Sequence, residues 1–151
     1  MSDFTFRFAR LLDVQHRRED LLRQKLARLE HEAERARSTV LASRRRLSDE
    51  EARLRVKSEG LLGIDQIRLH SEYIAKLRRE LTWDEEALAK AVALCDDART
   101  AVLEAMKERK KYESLEAGER EIWQRQERRA EQRTTDEMAL RTAFSKEGMQ
   151  T

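Results

Sequence analysis

The sequence predicts an all-α protein, an antiparallel two-helix coiled-coil hairpin whose second helix is longer and overhangs the first. Three observations lead to this prediction. The composition is that of long helices, two apolar stripes repeat with coiled-coil spacing, and a pair of glycines separates the two stripes.

The composition favours helices over a mixed globular fold. Of the 151 residues, 41% are charged and 5% are aromatic, and the chain contains no proline. Such a composition is typical of long helices and coiled coils, but a chain this polar could also be disordered, because weak hydrophobicity does not offset the entropy lost on folding. A regular apolar period decides in favour of helices.

The first apolar stripe predicts helix 1 over residues 4–58. Alternating steps of three and four residues lead along one mostly apolar line. Its positions are Phe8, Leu12, Gln15, Glu19, Leu22, Leu26, Leu29, Ala33, Ala36, Val40, Ser43, Leu47, Glu50 and Leu54. A repeat of 3.5 residues drifts by about 20° per heptad around a straight helix, so the stripe is useful only against a partner helix.

The second stripe begins in its own phase after the glycines and predicts helix 2 over residues 65–147. Its positions are Ile67, His70, Ile74, Leu77, Leu81, Asp84, Leu88, Ala91, Cys95, Ala98, Val102, Ala105, Arg109 and Tyr112. The polar positions in both stripes lower stability while they fix alignment. Cys95, on this stripe, is expected to be a small core residue.

Gly60 and Gly63 predict the turn, over residues 59–64, and make the whole chain, 1–151, a single hairpin. A glycine with left-handed backbone angles could end helix 1, and Asp65 is placed to cap helix 2. A turn centred near residue 61 would put Phe4 opposite Gly118. Gly118 is then either a local hinge or a tolerated surface glycine.

Beyond Gly118 the stripe spacing continues but becomes polar. We expect this segment to overhang helix 1 and to present Trp123, Leu140 and Phe144 to another protein.

Charge and cysteine content exclude several classes of protein. The net charge is +2, and acids interleave with the bases, so the sequence does not favour a nucleic-acid binder. The lone Cys95 cannot form a disulfide within the chain, which favours a reducing, cytoplasmic location. The N-terminus lacks the apolar core of a signal peptide, and no run of eighteen apolar residues is present.

No catalytic, metal or cofactor site is predicted. The stretch HEAER at 31–35 starts like a zinc-protease helix, but Arg35 occupies the position of the second histidine. The stretch GLLGID at 60–65 lacks the Lys and Ser or Thr of a phosphate-binding loop. A pair of helices offers no enclosed pocket, so we expect no enzymatic activity.

Four stretches resemble a known family in their order and position. They are FTFRFARLLDVQHRREDLLRQKLA at 4–27, YIAKLRREL at 73–81, MKERKKYESLE at 106–116 and DEMALRTAF at 136–144. The chain resembles the FliJ family, the small cytoplasmic stalk proteins of the bacterial flagellar type III export apparatus.

The resemblance implies a hairpin similar to the coiled coil of the gamma subunit of rotary ATPases. The paired termini would enter the ring of the hexameric export ATPase and promote its assembly, and a surface near the tip would contact the membrane export gate protein. For the ATPase ring the expected contact residues are Phe4, Phe8, Leu11, Leu12, Trp123, Asp136 and Glu137. For the export gate they are Tyr73, Leu77 and Leu81.

The resemblance also implies export chaperones as further candidate partners and a place at the cytoplasmic face of the inner membrane reached only through partners. No nucleic-acid partner is expected, because acids interleave with the bases. Three alternatives stay open. The stalk protein of virulence type III secretion is similar in length and shape, a generic coiled-coil scaffold could dimerise through the stripes, and a helical-hairpin arm could bind nucleic acid.

Overall fold

A computed structural model describes residues 3–60 and 63–148 of the chain, which form two α-helices after a short non-helical segment. Helix α1 spans Ala9–Ser58 with 50 residues, and helix α2 spans Ile64–Glu147 with 84 residues. The two helices pack against each other, and the described residues contain no strand. The all-α prediction of two packed helices, the second longer, is therefore confirmed.

Helix α1 begins later than the sequence predicts. The predicted start was residue 4, but residues 3–8 are not helical, and we call this segment the strap. In the strap, residues 3–6 have no regular secondary structure and residues 7–8 form a turn, in which the N–H of Ala9 donates to the Phe6 carbonyl at 3.2 Å. Phenylalanine and threonine also have modest helix propensity, so packing of the rings decides the local conformation.

The connection between the helices contains both predicted glycines. Leu61 and Leu62, inside the predicted turn, lie outside the described residues. The N–H of Gly60 donates to the Lys57 carbonyl at 3.2 Å, and the carbonyl of Gly63 accepts from the N–H of Gln66 at 3.0 Å. Neither Gly60 nor Gly63 has a positive φ, so the expected left-handed glycine was wrong. The low helix propensity of glycine is sufficient to interrupt the helix.

Asp65 does not cap α2 as predicted, because the helix already begins at Ile64. Its carboxylate instead lies in the first turn, where it interacts favourably with the positive end of the helix dipole.

The chain consists of two compact units, a central unit of Glu19–Glu104 and a terminal unit of Met1–Arg18 with Ala105–Thr151. In the central unit the helices run antiparallel. Glu30 on α1 pairs with Arg99 on α2 at 3.3 Å, and Glu51 pairs with Arg78 at 2.8 Å. The organisation of residues 1–151 as a single hairpin domain stays a prediction.

The core of the central unit is formed by the two predicted stripes. Every stripe position from Glu19 to Leu54 and from Ile67 to Val102 is buried or half-buried. The most buried apolar side chains there are Ala33, Val40, Ile74, Leu77, Cys95, Ala98 and Val102. Cys95 is a core residue, 3% exposed, as its position on the stripe indicated.

Polar stripe residues are paired inside this interface. Glu19 is 5% exposed and forms an ion pair with Arg23 at 2.7 Å. Ser43 is 3% exposed and donates a hydrogen bond to Asp84 at 2.5 Å. The Glu19–Arg23 pair lies within α1, whereas the Ser43–Asp84 hydrogen bond joins the two helices. Because an unpaired polar group in this position would be costly, the Ser43–Asp84 bond favours one alignment of the helices over others.

Candidate partner-binding surfaces

The strap packs onto α2 through an aromatic cluster, which consists of Phe4, Phe6, Phe8, Tyr112 and Trp123. The ring of Phe4 lies 5.8 Å from that of Trp123, and the ring of Phe8 lies 6.4 Å from that of Tyr112. Phe6 is only 6% exposed and makes an edge contact with Phe8. The cluster therefore fixes the chain before α1 to the surface of α2.

Phe4 faces Trp123, so its predicted position opposite Gly118 was wrong by five residues. The same offset is present between the two helices of the central unit, where Ser43 bonds to Asp84 although a turn centred on residue 61 would place residue 79 opposite it. The geometry of the strap is therefore not the cause. Helical side chains lean towards the N-terminus of their own helix, which moves the contact partners on α2 further from the turn and accounts for part of the offset.

Arginine side chains cover the outer faces of this cluster. The guanidinium of Arg120 lies 4.6 Å from the ring centre of Phe4, and that of Arg7 lies 4.6 Å from the ring centre of Phe8. Arg7 also pairs with Glu119 on α2 at 3.4 Å. Such contacts are individually weak where they are exposed, about 0.5–1 kcal/mol for a cation over a ring. They give an apolar cluster a charged exterior.

Two polar atoms of the terminal unit are buried without a hydrogen-bond partner among the described residues. They are the indole N–H of Trp123 and the side-chain carbonyl oxygen of Gln15. A buried donor without an acceptor typically costs about 1–3 kcal/mol. The packing of the strap on Trp123 is thus weaker than its ring contact alone would suggest.

All seven residues predicted to contact an ATPase ring lie in the terminal unit, four of them within or next to the cluster. Phe4, Phe8, Leu12 and Trp123 are half-buried. Leu11 is 44% exposed and available to a partner. The role of these residues in binding a ring stays a prediction.

The overhang begins later than Gly118. Trp123 is half-buried against the strap, and the residues exposed without interruption are 128–148, a segment we call the overhang. Asp136 and Glu137, also predicted to face the ring, are both exposed on it. Met138, Leu140 and Phe144 are its large exposed apolar side chains. The expectation that Trp123 projects freely was wrong, because the strap reaches it.

The three residues predicted to contact the export gate differ in exposure. Tyr73 is 43% exposed, Leu81 is half-buried, and Leu77 is 3% exposed in the interface between α1 and α2. Leu77 therefore does not present a surface to a partner as predicted, because its stripe position is used for packing.

Sequence reasoning missed two exposed apolar residues on the same face of α2 as Tyr73. Leu69 is 68% exposed and Trp83 is 76% exposed. Leu69 and Tyr73 line a groove together with several charged side chains, Glu50, Arg53, Lys57, His70, Glu72, Lys76 and Arg79. The sequence signal for this surface was the spacing of Leu69, Tyr73 and Trp83. These three residues are not stripe positions, but helical periodicity places them on one side of α2.

Over residues 3–60 and 63–148, neither helix contains a stretch long and apolar enough to cross a bilayer. The same residues bring no three potential metal-binding side chains into one cluster.

The sequence matches one family model, described as the flagellar FliJ protein, over residues 4–148. No curated protein and no solved structure matches the chain. The matched range contains α1, α2 and nearly all of the strap. The chain therefore belongs to the FliJ family, a family of components of the flagellar type III export apparatus.

Proposed function

We propose that this protein is the non-enzymatic stalk of a flagellar type III export apparatus. It would insert into the ring of the hexameric export ATPase, promote assembly of that ring and couple it to the membrane export gate, and so serve flagellum biogenesis and motility. The observation that carries the proposal is the family match over residues 4–148.

The terminal unit is the part proposed to enter the ring. Arg7 and Arg120 lie over rings of its aromatic cluster, so the exterior offered to a ring has charged groups beside exposed apolar side chains such as Leu11. One asymmetric protein inside six equivalent subunits can meet each subunit only through weak and exchangeable contacts. Electrostatic contacts suit this task because they act over several ångströms and do not require close fit.

The overhang supplies a second contact with the ring. Its exposed Asp136 and Glu137 would pair with basic groups of the ATPase, and Leu140 and Phe144 would pack against it. A helix segment that has no support of its own is marginally stable in water, so binding would order it.

The surface around Tyr73 in the central unit is proposed to meet the export gate. Tyr73 and Leu81 remain from the predicted set, and the exposed Leu69 and Trp83 extend the apolar surface. Association with the inner membrane would occur from the cytoplasm and only through this partner. Export chaperones are further candidate partners, and no nucleic acid is expected.

The alternatives find less support. The matched family is described as flagellar, which favours flagellar export over a virulence secretion system. A scaffold that dimerises through its stripes is disfavoured because, in the central unit, α1 and α2 bury those stripes against each other.

The test titrates the protein into the purified export ATPase of the same organism and measures hexamer assembly and ATP hydrolysis. We expect both to rise. The double variant Asp136→Lys/Glu137→Lys should raise the concentration needed for half-maximal stimulation, whereas the exposed control Lys90→Ala should behave like the unmodified protein. Unchanged assembly and hydrolysis with the unmodified protein would refute the proposal.

A further inference from the structure

In the central unit, α2 carries a second regular line of residues, separate from the stripe that packs against α1. Alternating steps of four and three residues lead along it. We call it the outer line, and its positions are Leu69, Tyr73, Lys76, Glu80, Trp83, Ala87, Lys90, Leu94, Asp97 and Ala101. Between residues 64 and 104, six large apolar side chains are exposed, and four of them, Leu69, Tyr73, Trp83 and Leu94, belong to this line. An average step of 3.5 residues is the spacing at which one helix packs along another.

The outer line runs beside a groove between the two helices. Leu69, Tyr73 and Lys76 line one part of this groove together with α1 residues, and Glu80 and Trp83 line the next part. Glu80 and Ala101 are half-buried, and the other positions of the line are exposed. Another helix can therefore lie along this side of α2 without displacing α1.

Ion pairs that join the two helices of this unit lie on the other side of α2. They are Arg78 with Glu51, Glu85 with Arg44, and Arg99 with Glu30. Arg78, Glu85 and Arg99 are separated by multiples of seven residues, and helical periodicity puts them opposite the outer line. These contacts hold α1 and α2 together and leave the outer line available to a further helix.

We propose that the outer line is a self-association face, through which two copies of this chain pair with their α2 helices antiparallel. The charges along the line are the argument for this occupant, because both sides of the interface are then known. In a parallel two-fold pair, identical residues would face each other, so Lys76, Glu80 and Lys90 would each meet a like charge. An antiparallel pair can avoid this repulsion.

One antiparallel register matches the outer line to itself along its whole length. The facing pairs are Leu69 with Ala101, Tyr73 with Asp97, Lys76 with Leu94, Glu80 with Lys90, and Trp83 with Ala87. Two-fold symmetry repeats each pair, so large side chains meet small ones and the Glu80–Lys90 ion pair forms twice. A shift by seven residues in one direction would oppose Glu80 and Asp97, and a shift in the other direction would separate Glu80 from Lys90. The charges therefore select this register.

The dimer is weak because its interface is partly polar. Charged residues at seam positions lower stability while they fix alignment, so we expect a dissociation constant on the order of tens of micromolar. Glu80 also pairs with Lys76 of its own helix at 3.8 Å, an exposed contact that the dimer keeps. The stimulation assay of the export ATPase runs well below this concentration, where the monomer prevails and Lys90→Ala is an adequate control.

The dimer covers Tyr73, which we propose as a contact of the export gate. Self-association and gate binding would then exclude each other. Only this consequence rests on the proposed function, because the argument for the dimer uses the outer line alone.

Sedimentation equilibrium at increasing protein concentration measures the dissociation constant of the unmodified protein and of three variants. Glu80→Lys opposes two like charges at both symmetric positions and should raise the dissociation constant about tenfold. The double variant Glu80→Lys/Lys90→Glu restores opposite charges in reversed order, so it should dimerise within about threefold of the unmodified protein. Circular dichroism verifies that all variants are helical.

Glu34→Lys is the matched control. It also reverses one acidic residue and also breaks an exposed ion pair within a helix, that of Glu34 with Arg37. Glu34 lies on α1 and lines a cavity with Arg99, on the side of the central unit away from the outer line. This variant should dimerise like the unmodified protein.

A protein that stays monomeric up to several hundred micromolar would overturn the proposal. A Glu80→Lys variant that dimerises normally, or a double variant that stays as weak as Glu80→Lys, would also overturn it, because the register requires Glu80 to face Lys90. Equal weakening by Glu34→Lys would mean that net charge, and not the outer line, governs association. Sedimentation involves neither the ATPase nor the gate, so each of these results leaves the proposed function standing.

Discussion

The hydroxyl of Ser43 lies 2.5 Å from a carboxylate oxygen of Asp84, so α1 and α2 share a hydrogen bond inside their interface. Ser43 is 3% exposed, and Asp84 is half-buried. A guanidinium nitrogen of Arg46 lies 3.5 Å from the same hydroxyl. Two polar residues on the stripes, Ser43 and Asp84, therefore satisfy each other's hydrogen-bonding groups.

The variant Ser43→Ala should destabilise the protein by about 1–2 kcal/mol, because it leaves the Asp84 carboxylate half-buried without its donor. Urea unfolding followed by circular dichroism measures this loss. Ser48→Ala removes an exposed hydroxyl from the same helix and should change stability by less than about 0.5 kcal/mol. Equal effects of the two variants would mean that the hydrogen bond contributes nothing specific.

The alignment of the central unit can be tested with its native cysteine. Ala33 on α1 and Cys95 on α2 are both buried and line one small cavity. Ala33→Cys should form an intramolecular disulfide with Cys95 under mild oxidation, because small side chains that line one cavity let two helices approach closely, and a disulfide needs Cα atoms within about 7 Å. Closing a loop of this length should stabilise the protein by about 4 kcal/mol. Mobility on non-reducing gels and urea unfolding report the two effects.

Leu26→Cys is the matched control for the alignment. Leu26 lies on the α1 stripe, close to where a turn centred on residue 61 would place the partner of Cys95. In the structure it is seven residues from Ala33, about 10 Å along α1. A disulfide that forms as readily from Leu26→Cys as from Ala33→Cys would contradict the observed pairing.

The helices and their buried faces could be predicted from the sequence because an apolar repeat of 3.5 residues is a local signal. Every predicted stripe position of the central unit is buried or half-buried, including the polar Glu19, Ser43 and Asp84. The strap could not be predicted in the same way. Phe8 continues the helical stripe, and the absence of helix over residues 3–8 becomes evident only in the structure.

The candidate surfaces were harder to predict because they depend on which side chains the fold leaves exposed. Leu77 is both a stripe residue and a residue of a family motif, and packing takes precedence. Trp83 belongs to no stripe, so its 76% exposure becomes evident only in the structure. The register of Phe4 with Trp123 has the same offset as that of Ser43 with Asp84, which a turn centred on residue 61 does not reproduce.

Phe6 is expected to hold the strap on α2. The variant Phe6→Ala removes a side chain that is 6% exposed, and loss of a buried phenylalanine ring typically costs about 3 kcal/mol of stability. The other contacts of the short strap are weak and exposed, so they should not hold it on α2 after this loss. Release of the strap would expose Trp123. In a Trp83→Phe background, the Trp123 emission should shift to longer wavelength and become more accessible to acrylamide.

Phe144→Ala is the control for this experiment, since Phe144 is 70% exposed on the overhang. It should leave the emission of Trp123 unchanged. If Phe6→Ala also leaves emission and quenching unchanged, the strap does not depend on Phe6.

Substitution of Gly118 tests whether this residue is a hinge or a tolerated surface glycine. It lies within α2, it is exposed, and a Cβ added there meets nothing within 4 Å. Gly118→Ala should therefore raise the free energy of unfolding by about 1 kcal/mol, the difference in helix propensity. If stability rises while stimulation of the export ATPase falls, Gly118 serves flexibility. A fall in stability would contradict the open surroundings of this residue.

Truncation of the chain separates the overhang from the paired part of the terminal unit. A chain ending at Arg128 loses residues that are exposed over all their described length, so its thermal midpoint should change by less than about 2 °C. A chain ending at Ala117 also loses Trp123, whose ring packs against Phe4. Its thermal midpoint should therefore fall clearly below that of the first truncation. Under the proposed function, the chain ending at Arg128 also stimulates the export ATPase less, because Asp136 and Glu137 are gone. If the first truncation lowers the midpoint as much as the second, the overhang supports the fold and is not reserved for a partner.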